Sequence, residues 1–170
     1  MGLEIGVGTG RFAAPLGIQV GLDPAASMLS QALQRRISVV QGIAEALPFA
    51  DEMFDSALMV VVLSFLDDVV AGLTEIHRVL KPGGVLVIAF LDHDSPTGRD
   101  YLARRAHEVF FKDATFYGSA EVERLLGEVG FHDLCWVQTL FHSPEQITEI
   151  EALRPGRGDG AFVVVRASRC

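Results

Sequence analysis

Seven short runs of β-branched and apolar residues punctuate the chain: GLEIG, IQVGLD, ISVVQG, SALMVVVLSF, GVLVIAFLD, FHDLCWVQTLF and AFVVVRAS. Within them MVVVL and GVLVIAF are apolar almost throughout rather than alternating, the pattern of strands covered on both faces. Between the first five runs the period changes to that of helices. Val69, Leu73, Ile76 and Leu80 share one face, predicting a helix over 69–80 with Asp67 or Asp68 as its cap and Lys81-Pro82-Gly83-Gly84 as its stop. Asp23-Pro24 opens another, with Ala25, Met28, Leu29 and Ala32 on one side. Strands alternating with helices predict an α/β fold on a parallel sheet. The last third differs. Two helices are predicted between Pro96 and Gly130, with Phe110, Phe111, Phe116 and Tyr117 as an aromatic cluster between them. The two final strands are separated by HSPEQITEIEALRPGRGDG, too long for a simple hairpin and so expected to be functional.

Directly behind the first run, LEIGVGTGRF places glycine at positions 6, 8 and 10. A strand passing through glycines into a helix brings free backbone N–H groups to a ligand and lets it approach where no Cβ stands. Gly8-Thr9-Gly10-Arg11-Phe12-Ala13 satisfies the relaxed G-x-G-x-x-G/A pattern, so an NAD(P)-binding Rossmann domain is one reading. Against it, that pattern expects an acidic residue about 20 positions further on. Asp23 follows Gly10 by only 13, and no second domain remains to bind a hydride acceptor.

Several segments, in order, resemble a second class. Glu4-Ile5-Gly6-Val7-Gly8-Thr9-Gly10, Asp23 at the end of IQVGLD, QGIAEALPFADEMFD and EIHRVLKPGG are together similar to the motifs of class I S-adenosylmethionine-dependent methyltransferases of the small-molecule, type 11-like kind. The resemblance covers nearly the whole chain. It implies a Rossmann-like three-layer sandwich, with a mostly parallel seven-stranded sheet, an antiparallel last strand and helices on both faces. It also implies S-adenosyl-L-methionine as cofactor and direct in-line methyl transfer to an oxygen, nitrogen or carbon nucleophile, without a metal. Glu4, Gly6, Gly8 and Gly10 would then hold the methionine end, and Asp23 both ribose hydroxyls. Met28 would pack on adenine, with Pro24, Ile43, Ala44 and Met59 completing the cofactor set. One carboxylate at a strand end can accept from two adjacent hydroxyls, which suits Asp23 to that role.

The chain departs from the resembling family in three places. Ile43 stands where an acidic residue usually faces the adenine amino group, so base recognition is expected to rest on packing and on backbone near Ala44. No Asn/Asp-Pro-Pro-Tyr follows Met59, which argues against methylation of nucleic acids or glutamine amides. Residues 1–170 read as a single domain without the family's usual N-terminal helical extension, as in a shortened form of a longer protein.

Candidate acceptor chemistry lies after the fifth strand. His93, in Leu91-Asp92-His93-Asp94, is placed to act as a base, or else is a loop histidine paired with its aspartates. Tyr101, Tyr117 and His142 are candidate substrate contacts, while His77 is read as surface structure. The histidines show no metal-ligand spacing, so no metal is expected.

Composition narrows the partners. Hydrophobic residues make up 49% and charged residues 21% of the 170, which describes one globular domain. No apolar run reaches the roughly 18 residues of a membrane span, and no signal peptide is evident, so a cytoplasmic protein is expected. A formal net charge of −8, with basic residues dispersed, points to a small-molecule acceptor and away from nucleic acid or membrane. A homo-oligomer stays open. Cys135 is expected as a core thiol and Cys170 as a tail thiol, with no disulfide. A catalytically silent cofactor-binding or interaction domain remains the alternative function.

Overall fold

A computed structural model of the chain describes residues 1–105, 114–143 and 145–170. Phe110 and Phe111 of the predicted aromatic cluster lie outside the described residues. The elements run β1 (Gly2–Ile5), α1 (Ala13–Leu16), β2 (Val20–Asp23), α2 (Ala26–Gln34), β3 (Ser38–Gln41), β4 (Phe54–Val60), α3 (Val69–Val79), β5 (Leu80–Leu91), α4 (Pro96–Arg105), α5 (Ser119–Val129), β6 (Phe131–Thr139), β7 (Arg154–Pro155) and β8 (Phe162–Arg169). Among the described residues they form an eight-stranded sheet in the order β3-β2-β1-β4-β5-β8-β6-β7. β1 to β5 are parallel, β8 runs antiparallel between β5 and β6, and β7 pairs antiparallel with β6. The fold is therefore the α/β architecture read from the sequence, with one strand more. The extra strand is the two-residue β7 inside the long connection between the last two runs, too short to leave an alternating pattern.

Strand alternation sorts the two faces. Leu3 and Ile5 of β1, Leu22 of β2, Met59 of β4 and Ile88 and Phe90 of β5 enter the main core with Leu73, Ile76 and Val79 of α3 and Val122, Leu125 and Leu126 of α5. On the other face Val7, Ala13, Leu29, Ala32 and Ile37 form a second core under α1 and α2. Gly21 faces this side because a Cβ there would meet Val7 at 2.6 Å.

α3 starts where expected, with Asp68 accepting from the Ala71 N–H at 3.0 Å. α2 begins close to expectation, but only Leu29 and Ala32 of its predicted face are buried. Ala25 and Met28 are exposed and turn toward the sheet's C-terminal edge. Two other expectations fail. Cys135 is exposed, because β6 lies next to the outermost strand and the residue's side of it is uncovered. His77 is half-buried, its ring edge-on to Phe131 with centroids 5.2 Å apart, and burial holds its pKa below the ordinary value. Among the described residues, no helix is long and apolar enough to cross a membrane.

Candidate cofactor site

Three parallel strands end side by side at Ile5, Asp23 and Gln41, and the chain leaves each in a different way. After β1 the backbone turns through Gly6 (φ 68°), Gly8 (φ 50°) and Gly10 (φ 76°). These left-handed conformations favour glycine. At Gly8 a Cβ would meet nothing within 4 Å, so the backbone there faces open space. At Gly6 a Cβ would lie 2.2 Å from Val62 Cγ2, and at Gly10 it would lie 2.4 Å from Ile37 Cδ1. Gly6 thus permits close packing by the β4 exit, and Gly10 seats the turn on the second core. The helix behind the turn, α1, is a single turn of four residues. The ligand-facing groups are therefore those of the glycine turn, with little helix dipole behind them.

Asp23 closes β2 with its carboxylate nearly buried. Oδ2 accepts from Gly8 N–H at 2.9 Å and Oδ1 from Ala25 N–H at 2.8 Å. These two bonds fix the side chain between the glycine turn and the start of α2, and each oxygen keeps a lone pair for a further donor. Beneath the turn lies Glu4, 1% exposed. One of its oxygens accepts from the Ala13 N–H, and Oε2 has no partner among the described residues. Burial raises its pKa from 4.5 to about 7, against the opposing pull of that backbone bond.

β4 ends at Val60, and Val61 follows at φ 59°, a strained conformation for a β-branched residue, held by its N–H to Ala89 O at 2.8 Å. This kink sends Val62 over Gly6. The resulting cavity, about 480 Å³, is lined by Gly6, Gly8, Asp23, Pro24, Met28, Ile43, Ala44, Glu45, the three valines and Phe65, among others. It falls within the roughly 300–1,000 Å³ of small-molecule sites. Seven of the ten predicted cofactor residues line it directly. Glu4 and Gly10 support the turn from behind, and Met59 is fully buried in the main core, its three successors taking the wall instead. Met59 is level with Ile5 and on the same face, but its own side chain is covered by the core while Ile5 and the valines after Met59 reach the cavity. Glu45, Phe65 and Leu66 also line the cavity; only the quoted QGIAEALPF segment hinted at the first.

The other candidates separate from this cavity. His93 pairs through Nδ1 with Asp94 Oδ1 at 3.2 Å, and its N–H reaches Tyr117 O at 3.4 Å. Tyr117 packs against the main core, where burial raises its pKa. Tyr101 and His142 are brought together, lining a second cavity of about 380 Å³ with Asp100 and Phe141. His142 bonds Glu151, whose pKa it lowers. Between the cavities, buried Asp92 ties the end of β5 to α5. Its Oδ1 accepts from Asp94 N–H at 2.9 Å and Ser119 N–H at 3.3 Å, and its Oδ2 from the Ser119 hydroxyl. Replacing Ser119 by Ala leaves that buried oxygen short of a donor and is expected to lower stability by about 2 kcal/mol, read from the urea midpoint. Among the described residues no cluster of His, Cys, Asp or Glu is arranged to hold a metal ion.

An open parallel sheet, a glycine turn after its first strand and a carboxylate ending the second define a nucleotide-cofactor site at the carboxyl edge of the strands. Comparison with known proteins says which one. Residues 3–88 match the family described as the methyltransferase domain, and the chain belongs to that family of class I S-adenosylmethionine-dependent methyltransferases. A Thermotoga maritima crystal structure, described as a SAM-dependent methyltransferase and possible histamine N-methyltransferase, is 44% identical with a TM-score of 0.94, covering 99% of this chain and 81% of that one. An uncharacterized protein of Methanocaldococcus jannaschii is 40% identical over 168 residues, 99% of this chain and 82% of its own. An O-methyltransferase of Aspergillus sclerotiorum is 35% identical over 145 residues, 78% of this chain and 54% of its own. S-adenosyl-L-methionine is accordingly the cofactor, and the site suits it. The glycine turn offers bare backbone to one end, Asp23 offers paired acceptors in the middle, and Met28 and Ile43 offer apolar surface at the other end.

Proposed function

We propose that the chain transfers the methyl group of S-adenosylmethionine to a nitrogen, oxygen or carbon nucleophile on a small molecule, by in-line displacement and without a metal. The bound cofactor supplies a methyl group on a positively charged sulfur, an electrophile that needs no further activation. What the chain contributes is position. Asp23, preset by Gly8 and Ala25, would accept the two ribose hydroxyls, the glycine turn over Glu4 would hold the amino-acid end, and Val60 to Val62 would shape the wall beside the reacting methyl. Fixing donor and acceptor in line is a recognised source of rate in such a reaction. The observation that carries this reading is the two-bonded carboxylate of Asp23 at the centre of the cavity.

In calorimetry, S-adenosylhomocysteine is expected to bind the wild type, and Asp23→Ala to weaken binding by roughly 1–3 kcal/mol, the usual loss for a charged hydrogen-bond partner. No binding at millimolar ligand would sink the proposal. Relatives are described as an O-methyltransferase, a possible N-methyltransferase and a demethylmenaquinone methyltransferase, so they single out no one acceptor atom. One observation favours the silent alternative: neither His93, Tyr101, Tyr117 nor His142 lines the cofactor cavity. Release of S-adenosylhomocysteine with any member of a panel of small amines and phenols would remove it.

A further inference from the structure

Two stretches of chain wall the cofactor cavity beyond the strands, one running from Gly42 to Glu45 after β3 and the other from Val61 to Leu66 after β4. Sheet pairing no longer sets the gap between them. The second stretch is tied down at its start, where Val61 N–H donates to Ala89 O at 2.8 Å. Its far end is tied by Glu45, whose Oε1 accepts from the N–H groups of Asp67 at 2.9 Å and, more weakly, of Asp68 at 3.5 Å. The same carboxylate completes a helix cap. Asp68 caps α3 by accepting from the Ala71 N–H. In a capping box a Glu or Gln at that third helical position reaches back to the N–H of the cap residue. Ala71 cannot, and Glu45 takes the part from the other wall. Beneath them the two walls meet again on α3. A Cβ on Gly72 would stand 3.0 Å from Leu66 Cδ1 and 3.6 Å from Ala44 Cβ, and both of those residues line the cavity.

We infer that Glu45 is a positioning residue for the cofactor: its carboxylate straps the wall after β4 to the wall after β3 and holds the cavity at the width the cofactor needs. The inference rests on the cofactor reading above and goes beyond it. A wall held at one end only samples wider arrangements, and the population in them subtracts from affinity. Glu75 offers a comparison. Its Oε2 accepts from Leu47 N–H at 2.9 Å and so ties the segment after β3 to α3, but Glu75 is not among the residues lining the cavity.

Two measurements on Glu45→Ala, Glu45→Gln and Glu75→Ala test it: affinity for S-adenosylhomocysteine by calorimetry, and exchange of the Asp67 amide in the free protein by NMR. Glu45→Ala is expected to bind about tenfold more weakly and to exchange that amide about tenfold faster or more. Glu45→Gln keeps an acceptor oxygen at the same reach and is expected to stay within about threefold of wild type in both. Glu75→Ala is expected to lose stability to urea yet to bind within about threefold. Titration stoichiometry counts the folded fraction, so a partly unfolded variant does not mimic weak binding. Faster exchange without weaker binding would reduce Glu45 to a structural tie, and weaker binding without faster exchange would make it a direct ligand contact. Either result overturns the inference, as does a loss of affinity in Glu45→Gln or Glu75→Ala equal to that in Glu45→Ala. All of these leave the cofactor reading standing, whereas a wild type that binds no S-adenosylhomocysteine overturns both.

Discussion

Gly6→Ala is expected to abolish cofactor binding and to lower stability by about 2 to 5 kcal/mol. Two costs add at this one position. At φ 68° an L-residue brings its Cβ against the following carbonyl, roughly 1–2 kcal/mol. The same Cβ would stand 2.2 Å from Val62 Cγ2, inside any permitted contact, and such overpacking typically costs about 1–3 kcal/mol. Neither side can yield easily. Val62 follows Val61, whose own left-handed backbone is pinned by its bond to Ala89 on β5, and Gly6 follows a strand paired on both edges. The turn must therefore move, and the turn carries the Gly8 N–H that orients Asp23. Urea denaturation measures the first effect and calorimetry with S-adenosylhomocysteine the second. Gly8→Ala is the informative control. It has comparable backbone strain at φ 50° but no steric contact, so it is expected to lose about 1–2 kcal/mol of stability and to harm binding chiefly by intruding on the ligand's space. Equal stability losses in the two variants would show that the Val62 contact contributes nothing.

The difference between these glycines marks where sequence reasoning reached its limit. That positions 6, 8 and 10 need glycine was legible from the strand ahead of them. Why each needs it was not, because the answers lie with Val62, open space and Ile37, which are distant in sequence or not residues at all. The sheet was equally legible, since strands buried on both faces leave continuous apolar runs. β7 was not, because two residues cannot show a period. Asp23 was marked by the family resemblance together with its place at a strand end, and it does line the cavity. Met59 fell short by depth rather than by face: its register partner Ile5 lines the cavity, but Met59 itself is buried in the core and the wall falls to Val60 and its successors. The candidate acceptor contacts were hardest to read. His93, Tyr117 and His142 sit in loops and Tyr101 within α4, in a region where chain direction is set by bonds such as those of Asp92 with Ser119, between residues 27 positions apart.

Between pH 4.5 and 7 the stability of the free protein is expected to fall by about 3 kcal/mol on account of Glu4, and then to level off. Unfolded, the carboxyl ionises near 4.5; folded, burial keeps its proton until about 7. In that window the folded state binds more protons, so raising the pH favours unfolding, at about 1.36 kcal/mol for each pH unit. His77 acts in the opposite sense, because burial lowers its pKa and its contribution grows as the pH rises toward 6.5. The stability of wild type minus that of Glu4→Gln isolates the carboxyl: the difference should change by about 3 kcal/mol over the window and be flat above it. On the proposed cofactor reading, the same group is expected to respond to binding through the turn above it. The amino-acid end of the cofactor, if held at that turn, would bring an ammonium that favours the carboxylate over the acid. Binding of S-adenosylhomocysteine near pH 6 should then release a proton, counted by calorimetry in buffers of different ionisation enthalpy, and affinity should rise with pH until about 7. Glu4→Gln should release none and bind with no such slope. A wild type that shows the stability change but no proton release would confine Glu4 to supporting the turn through Ala13.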